Sequence, residues 1–223
     1  MVTGTGFVRI PIDNIVERRF GTIIRQQYDF SCGSAAVATL LSYHYDRPTS
    51  EQDAFTAMWA RGDQQRISQF GFSLAEMKIF LEALGYRADG FKLTLDRVAE
   101  VGVPGIALIN LNGYKHFVVV KGVTDRVVLY GDPAAGIKVK SRKEFEELWE
   151  DGIFLLIRSN IEEGKNNFNK TTDWKLAPLG NTAQANRDVF GNDLVGEVLE
   201  NDRTPFSGSI TRSFSVVNIL PSF

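Results

Sequence analysis

The spacing of apolar residues changes once along this chain, near Val103, and that change limits the folds open to it. Before it the spacing is helical. Val37, Leu40, Leu41 and His44 fall at i, i+3, i+4 and i+7, and Leu74, Met77, Leu81 and Leu84 keep the same period until Gly85. After it come short runs with the character of strands: GIALINL, HFVVV, RVVLYGD, GIKVK and IFLLI. Asn112-Gly113, between the first two, tolerates positive φ and predicts a tight hairpin. Helices first and hairpin-linked strands afterwards predict an α+β, antiparallel architecture, not a doubly wound sheet. At 223 residues, 43% of them hydrophobic, the chain suits one ordinary domain with an appendage.

Local signals fill in this frame. Thr49 with Gln52 reads as a capping box opening a helix over 54–59, and Ser73 with Glu76 as a second one. Residues 61–72 read as a polar loop. A short helix is expected over Thr94–Glu100, closed by Gly102, and another over Arg142–Glu150 behind Ser141 and Glu144. Near the N-terminus FVRIPI reads as a short strand, and Pro11 makes it an edge strand at best.

Chemistry concentrates in Arg25–Tyr45, RQQYDFSCGSAAVATLLSYHY. It holds the single cysteine, Cys32, in the expected first turn of a buried helix, where free N–H groups and the helix dipole favour a thiolate. A lone cysteine is by itself as easily an inert core residue. What changes the reading is Lys115–Pro133, KHFVVVKGVTDRVVLYGDP. His116, one of two histidines, opens a strand there, and Asp132 closes the next. A hairpin turning near Val123–Asp125 sets position 116 opposite 132 or one residue away. A nucleophilic cysteine needs such a base and a group to orient it. His44 lies too far along the cysteine's helix to be that base and reads as a buried or rim histidine. Asp29 either supports the loop before Cys32 or repels developing charge. Asp125 reads as a turn residue.

Three separated motifs, Gln26-x5-Cys32-Gly33, His116-Phe117-Val118-Val119-Val120 and Asp132-Pro133, agree in order and spacing with a known family. They resemble the bacteriocin-processing, double-glycine leader peptidases, which are papain-like cysteine peptidases. The resemblance covers residues 21–158, and the stand-alone variant DFSCGSAA is most similar to peptidases of functional-amyloid secretion systems. One position departs: the family commonly has Asp before the cysteine, where this chain has Ser31. The resemblance implies a papain-like peptidase domain over 21–158, behind an N-terminal extension (1–20). It implies Cys32 as nucleophile, His116 as base, Asp132 as its orienting acid and Gln26 as an oxyanion donor, with Gln27 as the competitor for that last role. It also implies a precursor partner whose leader ends in Gly-Gly, admitted through a cleft too narrow for a Cβ.

Composition bounds the remaining possibilities. Net charge is −2, from 25 basic and 27 acidic residues, with no basic stripe for nucleic acid. One Cys and two His are too few for a structural zinc site, and no cofactor is called for. No apolar run approaches the ~18 residues of a membrane span, and MVTGTGFVRIPI is not a signal peptide. The protein is therefore expected in the cytoplasm, or in the periplasm as a mature form. Residues 159–223 read as a polar, partly ordered appendage, in which only DLVGEVL and SITRSFSVVNIL could dock or contact other secretion-system components. No phosphate-binding loop is present in these 223 residues, so a fused transporter ATPase is not expected. Two readings from other classes stay open, a leader-binding module without catalysis and a chaperone-like accessory protein. A papain-like amidase acting on cell-wall peptides is a further one.

Overall fold

The computed structural model describes residues 17–177. Helix α1, Cys32–His44, begins at the cysteine itself, with Ser31 in the N-cap position. Alanines at 35, 36 and 38 line the sides that Val37, Leu40 and Leu41 leave, so the helix is buried nearly all round rather than along one stripe. Small residues bring its neighbours close: a Cβ on Gly33 would lie 3.0 Å from that of Phe72.

Helices α2 (Glu51–Arg61), α3 (Gln64–Phe70) and α4 (Leu74–Ala83) complete the helical half, with α2 and α4 packed on α1. The Ser73–Glu76 capping box forms as expected. The cap of α2 lies one residue later than expected: Ser50 accepts from the Asp53 N–H, while the Thr49 hydroxyl donates to the Arg47 carbonyl. The expected loop over 61–72 contains α3, capped by Asp63 and anchored by buried Ile67. One anchored side chain in seven residues sets up no detectable period.

The sheet is built from β1 (Ala88–Lys92), β2 (Gly105–Leu111), β3 (Tyr114–Val123), β4 (Val127–Asp132), β5 (Gly136–Ser141) and β6 (Trp149–Ile157). All pairings are antiparallel, in the order β1-β6-β2-β3-β4-β5. Sequence reading overlooked β1, because ADGFK carries only two buried residues and no alternation. The last strand enters between β1 and β2, against Gly105, where a Cβ would come within 2.3 Å of Phe154. Helix α5 (Leu95–Val101) is closed by Gly102 at φ 61°, and α6 (Arg142–Leu148) carries the Ser141–Glu144 box. Asn112 and Gly113, at φ 53° and 95°, make the expected turn into β3. Helix α1 lies across β3 and β2, which places its N-terminus beside the start of β3.

The domain edge expected after residue 158 does not coincide with the end of packing. Helices α7 (Ile161–Asn166) and α8 (Thr171–Leu176) continue the folded body. Trp174 and Leu176 pack with Ile23, Leu129 and Ile137 in a second, smaller apolar cluster. Buried Asp173 meets the fully buried Lys121 of β3 at 3.1 Å, and both bind Thr22. One ion pair and a few side chains hold this segment, not an amphipathic period, so composition gave no sign of it. FVRIPI, DLVGEVL and SITRSFSVVNIL lie outside the described residues.

Candidate active site

The cysteine is fixed by the turn before it. The Tyr28 N–H donates to the Ser31 hydroxyl at 3.1 Å, and that hydroxyl donates back to the Tyr28 carbonyl at 3.0 Å. Ser31 is fully buried in this turn, so a neutral hydroxyl does local bonding at the position where the resemblance leads one to expect an acid. The Ser34 hydroxyl, one turn on, lies 2.9 Å from the Ser31 carbonyl and 3.1 Å from the buried carboxylate of Glu51, two acceptors that share its one hydrogen. Cys32 itself is 6% exposed.

Across from it, His116 Nε2 lies 2.8 Å from Asp132 Oδ1, with both side chains buried. The route to this contact differs from the expectation. A bulge between Val120 and Gly122 pairs Val119 with Gly131, so the register carries Val118 toward Asp132. His116 reaches the carboxylate diagonally, from two positions further along the strand. Close approach is needed on the other side as well, where a Cβ on Gly131 would fall 2.0 Å from Ile23.

The carboxylate is held from every direction. Oδ1 also accepts from the Ala134 N–H at 2.8 Å, and Oδ2 accepts from Lys138 Nζ at 2.9 Å. Burial would raise its pKa, but the hydrogen bonds and charges of His116 and Lys138 outweigh burial and hold the group well below the usual carboxylate range. For His116 burial pulls the pKa down, and Asp132 together with the Cys32 thiol overcomes this, raising it to about 9. Nε2 being taken by Asp132, Nδ1 is the nitrogen left for the thiol; it is buried and makes no hydrogen bond.

Gln26 is half-buried, and Gln27 beside it is exposed. The Gln26 N–H donates to the Pro133 carbonyl at 3.0 Å, directly after Asp132. Its side-chain amide donates to the Tyr28 carbonyl at 3.0 Å, which uses one of the two amide hydrogens. Gln26 thus joins the turn before Cys32 to the turn after Asp132.

His44 ends α1, about 18 Å of helix from Cys32. It exchanges hydrogen bonds with Asn167, and burial followed by the charge on Lys121 puts its pKa well below the ordinary value. Asp29 is exposed, and its carbonyl accepts from the Tyr114 hydroxyl at 2.8 Å. The turn containing Asp125 is organised by Thr124, whose hydroxyl accepts from the Arg126 and Val127 N–H groups. Sequence reasoning missed Tyr114, Lys138 and Glu51. Tyr114 was within reach, being two residues before His116 on one strand and so on the same face. Among the described residues no group of three or more His, Cys, Asp or Glu could hold a metal ion.

A thiol at the head of a buried helix, facing an imidazole held by a carboxylate on the sheet behind it, can take the acyl group of an amide as the amine leaves and pass it to water. That division between a helical and a sheet half is the papain-like one, and this protein is a cysteine peptidase. The chain belongs to the peptidase C39 family, whose model matches residues 21–162. It is 37% identical over 161 residues to the probable functional amyloid protease FapD of Pseudomonas aeruginosa, covering 72% of this chain and 71% of that protein. To the protein of the same description from Pseudomonas fluorescens it is 38% identical over 152 residues, 68% of this chain and 67% of that one. The fold is similar to the peptidase domain of Streptococcus ComA, a bifunctional ABC transporter of a quorum-sensing pathway. The TM-score is 0.52 at 19% identity, over 61% of this chain and 96% of the domain. It is also similar to a double glycine motif protease from an AMS/PCAT transporter, solved with its leader peptide. There the TM-score is 0.51 at 23% identity, over 60% of this chain and 89% of that one.

Proposed function

We propose that this peptidase removes the leader of an exported precursor by cutting after a Gly-Gly-type site. Cys32 acts as nucleophile, His116 as general base and acid, and Asp132 as its orienting group. The observation that carries the reading is the buried His116–Asp132 pair, whose remaining nitrogen is left to Cys32.

In this mechanism His116 takes the thiol proton, and the thiolate attacks the carbonyl carbon of the scissile bond. The oxyanion is met by the Cys32 N–H at the head of α1 and by the second hydrogen of the Gln26 amide. His116 then protonates the departing amine, leaving a thioester on Cys32. Water, deprotonated by His116, attacks that thioester and frees the leader with a new carboxylate. Throughout, Asp132 keeps its hydrogen bond to Nε2, which fixes the ring and stabilises each imidazolium.

The substrate class is supported by membership of the C39 family and by the two FapD relatives, described as functional amyloid proteases. The neighbour solved with its leader peptide is an instance of this fold holding such a ligand. The setting we infer is the periplasm, on the export route of an amyloid-forming protein, and cell fractionation tests it. Among the described residues no helix is long and apolar enough to cross a membrane.

Incubating Gly-Gly precursors with the protein and with Cys32→Ala, then weighing the products, tests the activity. A new C-terminus after Gly-Gly, made only by the unaltered protein, is the expected result. Binding without cleavage would point to a leader-binding module, and cleavage of muropeptides instead to an amidase.

A further inference from the structure

Ser31 directly precedes the nucleophile, yet its hydroxyl makes its bonds away from it. The residue is fully buried, and each of its polar groups is engaged between residues 28 and 35. Its carbonyl accepts from the Ala35 N–H at 3.1 Å, which ties it into α1. Its N–H and its hydroxyl donate to the Tyr28 carbonyl, at 3.1 and 3.0 Å. The hydroxyl oxygen accepts in turn from the Tyr28 N–H at 3.1 Å. One buried side chain thus holds the peptide groups on both sides of Tyr28.

The Tyr28 carbonyl is also the group that Gln26 Nε2 reaches, at 3.0 Å. The two ends of a carboxamide have the same shape, and only their partners decide which one is nitrogen. A carbonyl accepts and never donates, so it selects the nitrogen end, commits one hydrogen and leaves the second over. The Gln26 backbone is held by the Pro133 carbonyl, but its amide oxygen is buried and makes no hydrogen bond. The contact with Tyr28 is itself open to solvent, where water competes for both partners. It orients the amide only while its acceptor stays in place, and Ser31 keeps it there.

We propose that Ser31 is a positioning residue for the oxyanion site and acts through Gln26. By fixing the Tyr28 carbonyl it keeps the nitrogen end of the Gln26 amide presented, with its second hydrogen free. This rests on the reading above in which Gln26 supplies an oxyanion donor.

The test uses the full chain, unaltered and as Ser31→Ala, Gln26→Ala and the double variant, on a synthetic Gly-Gly peptide. Ser31→Ala should lower kcat by about tenfold, what the loss of one hydrogen bond costs. KM should barely move, because the donor acts on charge present only in the transition state. In the Gln26→Ala background the same change should cost less than about twofold, since an effect carried by Gln26 disappears with it. Nitrogen-edited NMR supplies a second measurement. In the unaltered protein the Gln26 side-chain amide hydrogens should exchange with water more slowly than those of exposed Gln27, and Ser31→Ala should remove the difference. An equal cost in both backgrounds would assign the effect of Ser31 to Cys32 or to the fold, and overturn the proposal while the role of Gln26 stands. An unchanged kcat in Ser31→Ala would overturn it too. So would a Gln26 amide that exchanges as fast as that of Gln27 in the unaltered protein, a comparison that needs no variant to fold. If Gln26→Ala alone leaves kcat unchanged, Gln26 is no oxyanion donor, and that reading falls together with the proposal. If no form cuts the peptide while Ser31→Ala still frees the Gln26 amide, the positioning stands and the leader-cleaving reading falls.

Discussion

Lys138 Nζ lies 2.9 Å from Asp132 Oδ2, the carboxylate oxygen that His116 does not use. With both oxygens engaged, Asp132 stays ionised and its charge is directed at the imidazole. The pKa of His116 is accordingly raised from 6.5 to about 9, so the stabilisation of its charged form is complete below 6.5 and is lost as pH rises through about 9. Cleavage should therefore persist through mildly alkaline pH and fall above about 9, where His116 no longer holds a proton for the leaving amine. Asp132→Asn removes the strongest cause that raises the pKa, and the alkaline limb should move toward lower pH. Profiles of kcat/KM against pH for the two proteins decide this, and an unmoved limb would remove Asp132 from the role given to it.

Cys32→Ala should abolish cleavage and leave the melting temperature nearly unchanged, since alanine suits a buried helix start. His116→Ala should cost as much activity, and Asp132→Ala less, because orientation is lost but not the base. Iodoacetamide should modify Cys32 in the native protein near neutral pH and do so more slowly in His116→Ala. A Cys32 that reacts only after denaturation would return it to the inert core.

Gln26→Ala should lower kcat by about 10²–10³-fold with little change in KM, the usual loss of one oxyanion donor. Gln27→Ala, at an exposed position, is the control and should be near neutral. Steady-state constants on one peptide separate the two. A loss carried by Gln27 would contradict the placement of Gln26 between the Tyr28 and Pro133 carbonyls.

A chain ending after residue 177 should fold and cut, whereas one ending after residue 158 should be markedly destabilised. The shorter chain strips Asp173 from a Lys121 that is fully buried, and breaking a buried pair in this way costs about 3–5 kcal/mol. Asp173→Asn tests the same contact without shortening the chain. Urea unfolding of the three proteins checks it, and equal midpoints for the two truncations would show that α7 and α8 add nothing to the fold.

Most of the fold could be read in advance because its signals are local. The Ser73–Glu76 box, Gly102 as a left-handed stop and the Asn112-Gly113 turn each act within a few residues. The pairing of His116 with Asp132 was legible for the same reason, since one hairpin makes it. The bulge at Val120–Gly122 was not, because nothing in HFVVVKGV marks where the ladder skips. Helix α3 and strand β1 escaped because each shows one or two buried side chains, too few for a period. Lys138 on Asp132, and Asp173 on Lys121, are contacts between elements, and a side chain's own neighbours in sequence say nothing of them.

The Thr22 hydroxyl donates to Asp173 across 151 positions of sequence, and Lys121 donates to the Thr22 carbonyl in the same cluster. Gln26 follows four residues after this anchor. During synthesis the segment that leads to Gln26 is made early and must wait for Asp173 before its anchor is complete. Cys32, His116 and Asp132 are all translated before that moment, and so are Tyr28 and Pro133, whose carbonyls hold Gln26. The groups at the site thus precede, in order of synthesis, the carboxylate that neutralises Lys121 behind them.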